Sequence, residues 1–272
     1  MVTGPVRNAV AALIGLVLVA LWLRVGPALV GAWAGGGAWG ESAFTVALFG
    51  PMLLLGWAGR RLAGIRGPSG LAWRSLGLGA VTGLGCLLLA TGYTGLAGTL
   101  IRSQGSMVGP LLALGLSVIT VQVAAEEWVF RGWLQPVLLS LIGRRVAVPV
   151  VAGIFAGLHL LAGSASGGVA LLNLFLGGML FGLIAAGRLG LAGAFGAHFA
   201  WNAGEQLLLG LDPNPGVGVF GAVVDLDLRG VPLWGGSDQG LNGSWAMSLS
   251  LLALVVGWLL AGRMAMRQSD AA

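Results

Sequence analysis

The chain has 272 residues, of which 57% are hydrophobic and 8% charged, with 50 glycines and a mean hydropathy of +0.94. A soluble domain carries about a quarter charged residues, so this composition excludes a soluble or disordered chain and points to a polytopic membrane protein. The only cysteine, Cys86, sits inside an apolar run, which excludes a disulfide scaffold, and the formal charge of +5 rests on arginine alone among the basic residues.

A helix needs about 20 apolar residues to cross a hydrocarbon core. In chain order such stretches run from Asn8 to Val30, Ala43 to Ala58, Ser75 to Leu100, Val108 to Trp128, Val146 to Ala162, Gly168 to Ala186, Leu189 to Gly210 and Trp245 to Ala261. The expected fold is therefore all-α, a transmembrane helix bundle of about eight spans. The first span has no small-residue cleavage site and reads as a retained helix, not a signal peptide.

Arginine assigns the sides. Arg7, Arg60, Arg61, Arg66, Arg74, Arg131, Arg144, Arg145, Arg188, Arg263 and Arg267 fall on one face if both termini share it, which makes that face and both termini cytoplasmic. This placement in short loops reads the basic balance as topogenic and excludes nucleic acid as a partner. The opposite face holds Arg102 and Arg229 with Glu41, Asp212, Asp225, Asp227 and Asp238. Its longest loop, Leu211 to Ser244, is rich in Gly, Pro and Asp and is expected to be polar and semi-ordered, with Asp225 and Asp227 alternating as in an exposed strand. Gly79 with Gly83, Gly153 with Gly157, and Gly178 with Gly182 are each four apart, the spacing of close helix crossings in membranes.

Ionisable residues at depth in a bilayer are expensive and usually functional. Glu126 and Glu127 close the fourth apolar stretch, where Glu127 can pair with Arg131 at i,i+4 while Glu126 points about 100° away. Both histidines of the chain also fall in apolar spans, His159 in the fifth and His198 in the seventh, with Asn202 one turn after His198. Three spans carrying such groups argue for one shared polar cavity. Glu205, seven residues after His198, nears the outer end and is expected to be a helix-end charge.

The sequences EEWVFR (126–131), FAGLH (155–159) and HFAWN (198–202) resemble the three motifs of the CPBP family of intramembrane endopeptidases, prokaryotic relatives of the Ras-converting CAAX prenyl endopeptidase. The resemblance covers roughly Val108 to Gly210, with a weaker echo in Gly235 to Leu241. It divides the chain into N-terminal helices (1–106), catalytic core helices (107–210), an extracytoplasmic loop (211–244) and a last helix with a short tail (245–272).

The resemblance implies an enzyme that hydrolyses a peptide bond of a membrane-associated protein or peptide. Glu126 would activate water, His159 would help to hold it, His198 and Asn202 would donate to the oxyanion, and Glu127 with Arg131 would orient and balance the first carboxylate. No cofactor is favoured. Zinc on Glu126, His159 and His198 is the alternative, since two His and one Glu form a frequent zinc set, although no His-Glu-x-x-His helix is present. The other readings are a non-catalytic membrane scaffold or immunity partner, and a proton-coupled transporter, which would carry inverted repeats. Arginine without lysine suggests a bacterial plasma membrane as the setting.

Depth poses a question. Glu126 lies about 27 Å along its span from the outer start, and His159 about 20 Å from the inner start of its own. These meet if the fourth helix begins further out and continues past Gly132 towards Pro136, or if the segment before Ala152 is re-entrant, with helix tilt able to absorb several ångströms as well. The cavity is expected to open towards the cytoplasmic leaflet.

Overall fold

A computed structural model describes residues 4–66, 72–103 and 109–270, with side chains described as far as Ala261. Val108, the expected start of the fourth span, lies outside them. The helices are α1 (Gly4–Ala34), α2 (Gly37–Leu62), α3 (Trp73–Leu96), α4 (Gly109–Glu127), α5 (Gln135–Ile142), α6 (Arg144–Ala162), α7 (Gly168–Ala185), α8 (Gly190–Ala203) and α9 (Trp245–Asp270). A π-helical segment, Trp128–Leu134, joins α4 to α5 without a break, and a second, Gly204–Leu208, extends α8. A two-stranded antiparallel ribbon, β1 (Leu100–Arg102) with β2 (Leu226–Leu228), sets Leu100 opposite Leu228.

Each expected apolar stretch forms a helix over most of its length, but the third, expected to reach Leu100, ends at Leu96, and Leu100 lies in β1. Six helices are long and apolar enough to cross a bilayer: α1, α2, α3, the continuous Gly109–Ile142, α6 and α7. α8, with 14 residues before its π turn, and the apolar part of α9, Trp245–Ala261, are shorter. The protein is thus an integral membrane helix bundle. Helices interrupted by proline, at Pro27 in α1, Pro51 in α2 and Pro149 in α6, persist because neighbouring helices can satisfy the freed backbone groups in lipid.

The helix ends sort into two faces. Arg7 at the start of α1 donates to the Leu62 carbonyl at the end of α2 (3.2 Å), and the same face collects Arg60, Arg61 and Arg66 after α2, Arg74 at the start of α3, Arg144 and Arg145 at the start of α6, and Arg188 between α7 and α8. The other face carries the β1–β2 ribbon and residues 211–244. That long segment is tightly folded, not semi-ordered. Asn214 donates to the carbonyls of Leu228 (3.0 Å) and Ser237 (2.7 Å), and its Oδ1 accepts from Leu228 N (2.8 Å). Asp225 and Asp227 are buried, not exposed, because Asp227 turns inward to accept from Gly216 N (2.7 Å) and Arg229 (3.1 Å). One side chain thereby replaces backbone partners that an irregular segment would otherwise lack.

Of the three glycine pairs, two make close crossings. A methyl group on Gly79 or Gly83 would run into the backbone carbonyls of Gly193 and Ala197, so α3 and α8 touch backbone to backbone. Gly178 packs on Ala152, and Gly182 on Val148 and Gln135, which seats α7 on α6 and α5. Gly153 and Gly157 meet nothing within 4 Å and are exposed on the outer face of α6. Spacing alone does not distinguish a packed small-residue stripe from one that faces lipid.

Candidate active site

The fourth stretch does not end at Trp128. It continues to Ile142 as one 34-residue helical rod, about 51 Å long. The irregularity in its middle has a covalent cause: Pro136, four residues after Gly132, has no N–H to give the Gly132 carbonyl and its ring crowds that turn. The backbone widens into the π segment, and Arg60 of α2 donates to Gly132 O instead (2.9 Å). π turns of this kind recur at functional sites.

The continuation resolves the depth mismatch. Glu126 stands about 24 Å along the helix from Ile142, and His159 about 22 Å along α6 from Arg144, which adjoins Ile142 across the Gly143 turn. The two residues are therefore level and far from the arginine-rich end, Glu126 midway along its rod and His159 in the last turn of α6. Re-entry before Ala152 does not occur, since α6 is regular from Arg144. Two sequence expectations need correction. The double glutamate lies mid-helix, not at a cytoplasmic end. Arg131 is not a topogenic surface charge; it is 2% exposed inside the bundle.

Around these residues a compact polar group forms. Arg131 Nη1 donates to Glu127 Oε1 (2.9 Å), and His198 Nδ1 donates to the same oxygen (2.9 Å). The other imidazole nitrogen of His198, Nε2, lies 3.8 Å from Glu126 Oε2. His198 of α8 therefore bridges the two glutamates of α4. Glu126 has only one further contact, a 3.3 Å hydrogen bond to Oε1 from Gln122, one turn earlier. Aromatic rings enclose the charges. Phe181 stacks on His198 at 4.6 Å, and the Arg131 guanidinium lies over the rings of Phe155 (4.7 Å), Phe181 (5.5 Å) and Phe130 (5.7 Å). Such faces attract a cation and shield it from competing solvent.

Phe155 also links the second histidine to the group, its ring being 4.4 Å from His159 and 6.3 Å from His198. His159 Nδ1 donates to the Phe155 carbonyl (2.9 Å), so in the neutral ring Nε2 is left as an acceptor. Glu126, His159, His198 and Asn202 line one cavity of about 270 Å³, formed by α4, α6, α7, α8, the start of α9 and residues of the 211–244 segment.

The cavity departs from the sequence expectation in two respects. Glu205 is not a helix-end charge. It is 3% exposed, lines the cavity, and accepts from Trp201 Nε1 (2.9 Å) and Asn242 Nδ2 (3.4 Å), because the π turn after Ala203 carries it inward. The outlet also leads away from the arginine-rich face, between Ser164 and Asp212, Asp238 and Gln239, and no arginine among the described residues lines it. Burial raises the Asp212 carboxyl above its ordinary range at this outlet.

Sequence reading missed Gln122, Phe181 and Asn173. Gln122 carries a signal, a polar residue one turn before Glu126 on an apolar span. Asn173, which donates to Asn242 O and Ser244 O at 2.9 Å and accepts from Ser248 Oγ at 2.6 Å, is likewise a lone polar residue in α7. Phe181 carries none, since only the fold sets it against His198. Among the described residues no three His, Cys, Asp or Glu side chains are grouped as a metal site, while the Nε2 atoms of both His159 and His198 remain free on the cavity side.

Comparison with the curated proteins and with the solved structures gives no match. Residues 107–204 match the family model described as Type II CAAX prenyl endopeptidase Rce1-like, and this stretch holds all three motifs, from Glu126 to Asn202. The segment that builds most of the polar cavity is thus similar to the Rce1-like CAAX-type endopeptidases, in keeping with the CPBP resemblance of its motifs.

Proposed function

We propose that the protein is an intramembrane endopeptidase in which Glu126 activates the attacking water. The observation that carries this reading is the position of Glu126: midway along its helical rod, lining one cavity with His159 of α6 and with His198 of α8, which approaches it at 3.8 Å, and held by few contacts of its own. Glu127 is the structural member of the pair, engaged twice at 2.9 Å.

The steps follow from the donors present. A water between Glu126 and His159 Nε2 gives one proton to the Glu126 carboxylate as its oxygen attacks the scissile carbonyl. The resulting oxyanion needs hydrogen bonds from groups already aimed at it. Asn202 supplies an amide N–H. His198 supplies an Nε2–H only as the imidazolium, because its other nitrogen donates to Glu127. In that state Glu126, Glu127, Arg131 and His198 sum to zero charge, the most economical way to keep four ionisable groups in a dry site. Collapse of the tetrahedral intermediate breaks the C–N bond, and the Glu126 proton passes to the leaving amine.

The proposed mechanism uses no metal, since Arg131 already provides the local positive charge that a cation would bring. The setting is a bacterial plasma membrane, and the substrate a peptide or membrane protein. Comparative analysis of protein termini in membrane fractions from cells carrying the native chain or Glu126→Ala tests the reading: termini present with the native chain and absent with the variant are its products, and identical sets of termini overturn it.

A further inference from the structure

We infer that the substrate reaches this site from the extracytoplasmic side, so that the protein cleaves polypeptide segments that have already been carried to, or displayed on, the outer face of the membrane. This rests on the proteolytic reading above for the word substrate, but the side of access stands on two independent observations.

The first is the shape of the cavity. From Glu126 it runs along α7 and α8 to an outlet bounded by Ser164, between α6 and α7, and by Asp212, Asp238 and Gln239, between α8 and α9. Among the described residues, none from the α2–α3, α5–α6 or α7–α8 connections lines it. Towards those connections the site is sealed by the Arg131–Glu127 pair, the enclosing phenylalanines, and Gln135, whose amide donates to Gly182 O at 2.9 Å. Among the described residues, the cavity's polar rim therefore lies at the end away from those connections.

The second is charge. Of the 14 arginines, ten lie at or lead towards the face opposite the outlet (Arg7, Arg60, Arg61, Arg66, Arg74, Arg144, Arg145, Arg188 and positions 263 and 267 of α9). Only Arg102 and Arg229 lie on the outlet face. Short loops rich in arginine stay in the cytoplasm, and an imbalance this large over connections this short fixes orientation. The outlet therefore faces outward. Its rim is also polar, which suits an extended peptide backbone that must exchange hydrogen bonds with water for hydrogen bonds with the wall.

Single cysteines test the side directly, because the native Cys86 is fully buried and the parent chain serves as an unlabelled control. In intact spheroplasts, a membrane-impermeant maleimide is expected to label Ser164→Cys and Asp238→Cys but not Ser140→Cys, which lies near the arginine-rich end of α5; in inverted vesicles the pattern reverses. Labelling of Ser140→Cys from outside, with positions 164 and 238 reached only in inverted vesicles, overturns the inference while leaving the proteolytic reading intact. A reporter whose scissile tail is displayed on either side of the membrane supplies the functional arm. Cleavage of the outer tail alone supports the inference, cleavage of the inner tail alone overturns it, and cleavage of neither in a protein with the expected labelling pattern counts against the proteolytic reading instead.

Discussion

The adjacent glutamates should respond in opposite ways to the same isosteric change. Glu127 is fully buried and accepts two hydrogen bonds of 2.9 Å, from Arg131 and His198. Glu127→Gln removes the negative charge and leaves the Arg131 guanidinium with the Gly178 carbonyl at 3.3 Å and three aromatic faces. Breaking a buried pair from one side costs about 3–5 kcal/mol, because the surviving charge stays desolvated. Glu126→Gln is different. Its carboxylate has one 3.3 Å hydrogen bond from Gln122 and a 3.8 Å approach to His198, so the amide forfeits little. The expected change is within about 1 kcal/mol. Reversible unfolding of the purified protein in a mixed-micelle denaturant series reads both. Equal stabilities for the two variants, or a larger loss for Glu126→Gln, would refute the division of the pair into a structural and a reactive member.

Other outcomes follow from the same geometry. Asn202→Ala should lower kcat by about 10²–10³-fold with unchanged unfolding, the usual loss of one oxyanion donor, and a loss confined to KM would remove Asn202 from that role. Gly83→Val should force α3 off α8, since even a first methyl meets the Ala197 carbonyl, at a cost of about 1–3 kcal/mol or more, whereas Gly157→Val on the open face of α6 should change thermal stability little. Asp212 is held above the ordinary carboxyl range by burial, so its ionisation opposes folding above the unfolded-state pKa and not below it. Asp212→Asn should therefore stabilise the protein at pH 8 and leave it unchanged at pH 4; an equal gain at both values would mean that the effect is not electrostatic.

The bundle was legible in the sequence because lipid imposes length and apolarity on every span, and the eight apolar stretches all recur as helices. The reactive group was legible because few residues in so apolar a chain can titrate, and the motifs place them one helical turn apart. What escaped was three-dimensional. Hydropathy falls at Glu126, Glu127 and Arg131 and again at Pro136, which reads as a helix end, yet the Arg131–Glu127 pair and the Arg60 bond to Gly132 let the rod continue. The same mistake assigned Arg131 to the surface charges and aimed the cavity at the arginine-rich end, whereas the residues lining its mouth lie at the other end. Glu205 was misplaced for a related reason, since a π turn shifts the face on which the next residue falls by more than ordinary helical counting allows. The inward turn of Asp227 depends on Gly216, eleven positions earlier, a pairing that no local pattern announces.

The central claim is that Glu126 activates water for peptide hydrolysis without a metal. Mass spectrometry of peptide products from purified, reconstituted protein, native and Glu126→Gln side by side with and without a chelator, tests it most directly. The account predicts products from the native chain that chelation does not diminish, and none from Glu126→Gln above the level of protein-free vesicles. Undiminished cleavage by Glu126→Gln, or native cleavage lost to the chelator and restored by zinc, would contradict it.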